Sequence, residues 1–128
     1  MPETAIEDIP HLPDQAQRLE ALLVDCYGRD EELAAFEVYF ADALRPPFAA
    51  TWRDEDDPGH AEAVTVLGLA RVDDRRGVLL AVRRAGKRDR RVLAERLWAT
   101  DSGGANATIL DDYRHWVDTG GRDLEDFA

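Results

Sequence analysis

The sequence predicts an α+β protein: a small, bent, antiparallel β-barrel of the SH3-like or Sm-like type, with two helices before it and one after it. Apolar residues recur at helical spacing before residue 46 and after residue 104, whereas they alternate with other residues between 48 and 99. Turn-forming residues interrupt the alternating region roughly every 8–12 residues, which is typical of short antiparallel strands. An open meander with helices on one face is the alternative architecture.

The first two predicted helices occupy residues 14–27 and 30–45. Asp14 is a suitable N-cap for the first helix, and Gly28 is expected to end it. The second helix opens with acidic residues, which interact favourably with the helix dipole. It must end at Pro46-Pro47, because proline cannot continue a helix.

The predicted barrel occupies residues 48–99 and contains four strands. Gly68 interrupts a long alternating run, which indicates a bulge or a sharp bend. Residues 73–77, Asp-Asp-Arg-Arg-Gly, have the composition of a hairpin turn. The fourth strand is predicted over residues 92–98.

The last predicted helix spans residues 105–119 and follows a Ser-Gly-Gly break. Ile109, Tyr113 and Trp116 recur on one helical face and are expected in the core. Asp111-Asp112, in its N-terminal half, is interpreted as a favourable partner of the helix dipole.

Residues 13–120 are therefore expected to form a single globular domain, between a flexible arm at 1–12 and a loose tail at 121–128. The beginning of the sequence is acidic and broken by prolines, unlike a signal peptide, and no apolar run reaches the ~18 residues of a membrane helix. We therefore expect a cytoplasmic protein with no membrane partner. The one cysteine excludes an internal disulfide and a Cys-rich zinc site.

Charge argues against nucleic acid as a partner. The 128 residues carry a net charge of −11, whereas phosphate binding requires clustered cations. The distribution is uneven, because residues 71–96 contain ten Lys/Arg and four Asp/Glu, a local charge of +6. The basic edge at residues 83–91 supports an alternative function: a metal-independent SH3-like adaptor for a protein partner. A monomer is favoured, although the sequence does not show the oligomeric state.

The sequence does not predict an enzyme. The three histidines, His11, His60 and His115, have no i, i+4 pair for a helix-borne zinc site. There is no G-x-S-x-G nucleophile elbow and no Walker loop. The sequence therefore shows no recognisable pair of catalytic nucleophile and general base.

A hard cation is better supported, because residues 53–62, RDEDDPGHAE, are dense in carboxylates. Calcium prefers six to eight oxygen ligands, and short Asp side chains on a loop supply them. Asp54, Asp56 and Gly59 fit the first, third and sixth positions of an EF-hand loop. Pro58 and Thr65 occupy the fifth and twelfth positions, where oxygen ligands are needed. The segments on either side are predicted to be strands, whereas an EF-hand loop lies between two helices. This loop is therefore not an EF-hand.

Barrel topology suggests how the site could be completed. If the barrel closes, the loop at 53–62 and the turn at 73–77 are expected at the same end, so that their carboxylates converge on one cation. The predicted metal ligands are Asp54, Asp56 and Asp57, with Glu55, Glu62, Asp73 and Asp74 as helpers. We expect micromolar to sub-millimolar affinity, on the order of a sensor or weaker.

Three segments resemble a known family. They are VDCYGRDEELAAFEVYFADALRPPFAATW, VTVLGLA and DDYRHWV, and together they extend over roughly residues 23–117. Their order and spacing resemble the cyanobacterial calcium-binding protein family, CcbP. The resemblance implies calcium binding without EF-hands, on an SH3-like or Sm-like barrel with flanking helices, in calcium buffering or sensing. It does not assign the ligands, which depend on the loop argument.

Overall fold

Helices flank an antiparallel sheet in the computed structural model, which describes residues 14–57 and 59–120. The predicted arm at 1–12 and tail at 121–128 lie outside these residues. Among the described residues, no helix has the length and apolar character needed to cross a membrane. The elements are α1 (Gln15–Leu23), α2 (Arg29–Ala43), β1 (Phe48–Arg53), β2 (Ala61–Asp73), β3 (Gly77–Arg84), β4 (Arg90–Leu93), a 3-10 helix (Ala94–Arg96), β5 (Leu97–Ala99) and α3 (Ala105–Asp118).

The two N-terminal helices are confirmed, although α1 is shorter than predicted. It ends at Leu23, and the chain turns there so that α2 can begin at Arg29. Gly28 precedes α2 and does not end α1. Asp14 is the residue before α1, as predicted, but its side chain makes no capping hydrogen bond.

The sheet is antiparallel, and its strand order is β4-β3-β2-β1-β5. The predicted irregularity at Gly68 is confirmed: the β2–β3 register shifts between Val66 and Gly68, where glycine has a φ of 147° that other residues rarely adopt. A second shift follows between Leu69 and Arg71. These two bulges bend the long strand β2.

The prediction of a single fourth strand over residues 92–98 is wrong. β4 pairs with β3 at one edge of the sheet, and β5 pairs with β1 at the other edge. The 3-10 helix Ala94–Arg96 carries the chain between them. A local alternation pattern cannot reveal this corner, because the corner is fixed by pairing with two distant strands.

The sheet is strongly curved, but it is not a closed barrel. Five flat strands would place the two edges ~19 Å apart. The four residues from Leu93 to Leu97 reach at most about 14 Å, so the sheet must curl to bring β4 and β5 together. Within the described residues β4 and β5 do not pair, and the alternative of an open sheet describes the architecture better than closure does.

One hydrophobic core joins α2, α3 and the concave face of the sheet. Phe36 and Phe40 of α2 meet Tyr113 of α3 edge to face, with ring centroids 5.2 and 5.4 Å apart. The Tyr113 hydroxyl accepts a hydrogen bond from the buried backbone N–H of Val78 (2.9 Å), which ties α3 to the start of β3. The β-turns therefore lie at the ends of a rigid, well-packed scaffold.

Candidate metal centre

The turn between β1 and β2 is held by its own hydrogen bonds. Asp54 Oδ1 accepts a bond from the N–H of Asp56 (2.9 Å), and the Asp54 carbonyl accepts one from the N–H of Asp57 (3.3 Å). The His60 N–H donates to the Asp57 carbonyl (2.8 Å). The backbone of the turn is thus compact. The side chains of Glu55, Asp56 and Asp57 are exposed, and Asp54 is half-buried.

The four carboxylates of residues 54–57, here called the acidic turn, have the chemistry that a hard cation requires. The ion pairs formed between described residues involve other carboxylates and include none of these four. Four adjacent negative charges repel one another, and a divalent cation would relieve that repulsion. The donor set therefore fits calcium. It is not a finished cage, since no three His, Cys, Asp or Glu side chains of the described residues are already grouped around one point.

Glu62 lies beside the acidic turn, but it is engaged with cations of the protein. Its two oxygens accept hydrogen bonds from Nε and Nη2 of Arg84, each at 2.9 Å. His60 Nε2 lies 3.1 Å and Lys87 Nζ 3.7 Å from Glu62 Oε1. The Arg84 guanidinium, with help from His60 and Lys87, lowers the pKa of Glu62 to about 2. Glu62 would have to release Arg84 before it could bind a metal.

This pairing predicts a pH-dependent contribution to stability. The pKa of Glu62 is about 2 in the folded protein against 4.5 for an ordinary Glu, so the stabilisation is complete above about pH 4.5 and disappears as the pH falls towards 2. Glu62→Gln is expected to lower the free energy of unfolding by roughly 1–2 kcal/mol at pH 7. Urea denaturation of both proteins from pH 7 to pH 3 measures this difference.

The matched control is Glu55→Gln, which removes an exposed carboxylate from the same region. Its effect on stability should be small at both ends of this range, because surface substitutions of this kind usually cost less than about 0.5 kcal/mol. A Glu62→Gln difference that is the same at pH 3 and pH 7 would show that the ion pair with Arg84 does not stabilise the fold.

Asp73 and Asp74 lie in the next turn, at the opposite end of β2. Asp73 Oδ1 accepts hydrogen bonds from the backbone N–H groups of Arg75 (2.8 Å) and Arg76 (2.9 Å), which lower its pKa. Asp74 lines a separate groove with residues of α2. Among the described residues, the carboxylates of the two turns are not grouped around one point, so the expected convergence of these ligands is not seen.

Arginines face the acidic turn instead. Asp54, Glu55 and Asp56 line a depression of about 60 Å³ together with Arg90 and Arg91 of β4. Arg96 of the 3-10 helix and Arg76 of the second turn also line it. The sequence signalled these arginines through the local charge of +6 and, for Arg90 and Arg91, through the basic edge at 83–91. Their position opposite the carboxylates depends on the curvature of the sheet.

A sequence model of the CcbP family, described as calcium binding, matches residues 17–117, which is most of the chain. The chain belongs to the CcbP family. This confirms the resemblance and assigns calcium as the ion of the family, which is a calcium-binding family and not an enzyme family. A comparison with curated proteins finds no match.

Two solved structures share the CcbP fold with this chain. One is described as a calcium binding protein in the calcium-binding form; it has a TM-score of 0.72 at 20% identity, over 92% of this chain and 98% of that chain. The other is the crystal structure of Anabaena CcbP, with a TM-score of 0.67 at 22% identity, over 85% of this chain and 93% of that chain. At these identities the likeness shows the fold.

Proposed function

We propose that this CcbP-family protein binds calcium at the acidic turn, with Asp54, Asp56 and Asp57 as the principal ligands and Glu55 as a further one. The observation that carries the proposal is the compact turn itself. It presents four carboxylates from consecutive residues, and none of them is in an ion pair between described residues. Family membership supplies the identity of the ion.

The remaining predicted ligands are weaker candidates. Glu62 could join the site only after breaking two hydrogen bonds to Arg84. Asp73 uses one oxygen to bond its own turn, and Asp74 faces a groove on α2. We therefore place the first ion at the acidic turn, with water completing its coordination.

The exposure of the turn determines its affinity. Exposed carboxylates keep their hydration until the ion arrives, and the side chains lose conformational freedom when they bind it. We therefore propose a dissociation constant on the order of micromolar to sub-millimolar. A site of this strength loads and unloads as calcium changes, which suits a buffer or a sensor.

Isothermal titration with calcium, and amide NMR shifts in the same titration, test the proposal. We expect saturable binding with the largest shifts in residues 53–62. Asp54→Asn/Asp56→Asn/Asp57→Asn keeps the shape of the side chains but removes three charges, and it should weaken binding at least tenfold. Calcium should also raise the melting temperature of the wild type, because a ligand at 100 times its dissociation constant adds about 2.7 kcal/mol to stability.

A charge-matched control separates the site from the overall charge. Glu20→Gln/Asp25→Asn/Asp42→Asn removes three exposed carboxylates from α1, α2 and the loop between them. It should bind calcium nearly as the wild type does. Equal losses in both triple variants would mean that calcium binds diffusely to the acidic surface. Full affinity in the triple variant of the acidic turn would place the ion elsewhere.

A further inference from the structure

We propose that Arg90, Arg91 and Arg96, here called the arginine surface, bind an acidic segment of a partner protein, and that calcium at the acidic turn strengthens this binding. The inference rests on the proposed function and goes beyond it, since it names a partner and the way in which calcium controls it. The juxtaposition of the two sets of charges in one depression carries it.

The arginine surface is positioned in advance. The guanidinium of Arg90 lies 4.9 Å from the ring centroid of Trp52, a buried core residue that cannot move freely. Arg96 lies 5.8 Å from the ring of Trp98, and its Nε donates to the carbonyl of Arg53 (2.9 Å). An arginine stacked on an aromatic ring keeps N–H groups at its edge for carboxylates. Less conformational freedom is then lost when a partner binds.

The charge balance of the depression explains how calcium would regulate the affinity for an acidic partner. Without calcium, the lining holds four arginines, the arginine surface and Arg76, against three carboxylates, Asp54, Glu55 and Asp56. Its net charge is therefore only +1, and the three carboxylates repel those of a partner at short range. One bound Ca²⁺ raises the net charge from +1 to +3 and occupies the competing oxygens. In water, two added charges ~8 Å from a carboxylate correspond to about a five-fold gain in affinity.

An acidic peptide fits this surface better than nucleic acid does. The depression is about 60 Å³, enough for single carboxylate groups inserted from an extended chain. The protein outside this region is strongly acidic, so a long, uniformly charged polyanion would be repelled on both sides of the contact. A peptide with carboxylates on alternate residues can place its charges only where the arginines lie.

Fluorescence anisotropy of a short labelled peptide of alternating Glu and Gly, with and without saturating calcium, tests the proposal. We expect about five-fold tighter binding with calcium at low salt, and a smaller difference at high salt. Arg90→Gln/Arg91→Gln should lose peptide binding while it keeps calcium binding in the titration calorimeter. The control Arg71→Gln/Arg75→Gln removes two exposed arginines outside the depression and should behave like the wild type.

Each other outcome is decisive. Calcium binding without peptide binding overturns the partner inference and leaves the calcium site intact. Peptide binding that is the same with and without calcium also overturns it, and favours a metal-independent adaptor. If the calorimetric titration shows no binding of calcium, both proposals are overturned. If duplex DNA or vesicles with anionic lipids bind at the arginine surface more tightly than the peptide does, the assignment to an acidic protein segment is wrong.

Discussion

Asp112→Ala is expected to lower the free energy of unfolding by about 3 kcal/mol or more. The carboxylate of Asp112, on α3, is fully buried and accepts hydrogen bonds from side chains of α1 and α2. Gln15 Nε2 donates to it at 2.9 Å, Arg18 donates twice at 2.9 Å, and the Tyr39 hydroxyl donates at 2.8 Å. Alanine would remove the acceptor of these four bonds, and the cost lies towards the low end of the range because Gln15 Nε2 keeps its bond to Asp111 (3.0 Å) and the Arg18 side chain is 32% exposed and can bind water.

Urea denaturation at pH 7 measures this loss, and the melting temperature should fall by roughly 10–15 °C. Asp112→Asn keeps one side-chain oxygen, replaces the other by an NH2 group and removes the charge opposite Arg18. Its stability should therefore lie between that of Asp112→Ala and that of the wild type. The control is Asp118→Ala, an exposed acidic residue of the same helix. An Asp112→Ala protein as stable as the Asp118→Ala protein would mean that the buried network does not hold the helices together.

The same network has a consequence for Tyr39. Burial, together with the hydrogen bond to Asp112, raises the pKa of the Tyr39 hydroxyl to about 12. The pKa of Arg18 is also raised, chiefly by its hydrogen bond to Asp112. Tyr39 therefore remains a donor and Arg18 remains a cation throughout the pH range in which calcium binding would be measured. Neither of these two groups should therefore contribute to a pH dependence of the site.

The sequence did not predict the role of Asp112. In the sequence it is an acidic residue near a helix N-terminus, and the helix dipole is a sufficient explanation for it. Its partner Gln15 is 97 positions away, and Arg18 is 94 positions away. A single sequence contains no signal for a hydrogen bond of that separation between polar side chains. The helix itself was predictable, because its apolar stripe is local.

The strands show the same limit. The turn at residues 73–77 was predictable from its composition, and so was the irregularity at Gly68, because both depend on local backbone conformation. The corner at Ala94–Arg96 was missed, since its residues continue the pattern of β4 and only the pairing of β5 with β1 reveals the change of edge. The same corner curls the sheet and thereby brings Arg90 towards the acidic turn.

The candidate site was predictable to the same degree. Four consecutive carboxylates next to a Pro-Gly step are visible in the sequence, and they do form an exposed turn. The commitment of Glu62 to Arg84 was not visible, because Glu62 was predicted in the loop at 53–62, whereas the structure places it on β2. Register decides that pair, and register depends on the bulges in β2. The sequence therefore indicates which oxygens exist, and the fold decides which of them are available to calcium.

Phe36→Ala is expected to lower the free energy of unfolding by about 3–5 kcal/mol. Phe36 of α2 is completely buried. Its ring centroid lies 5.2 Å from that of Tyr113 and 5.0 Å from that of Trp116, both on α3, and 6.3 Å from that of Tyr39. Alanine would remove the ring that joins the two helices and leave a cavity that large, fixed aromatic side chains cannot fill.

The control is Val38→Ala, two residues away on the same helix, where the side chain is 59% exposed and the change should cost less than about 0.5 kcal/mol. Chemical denaturation measures both variants, and similar costs would show that the aromatic cluster is not the centre of the core. The calcium affinity of folded Phe36→Ala protein should match that of the wild type. The acidic turn lies between β1 and β2 and is held by its own hydrogen bonds. A change in helix packing therefore alters the amount of folded protein and leaves the turn itself intact.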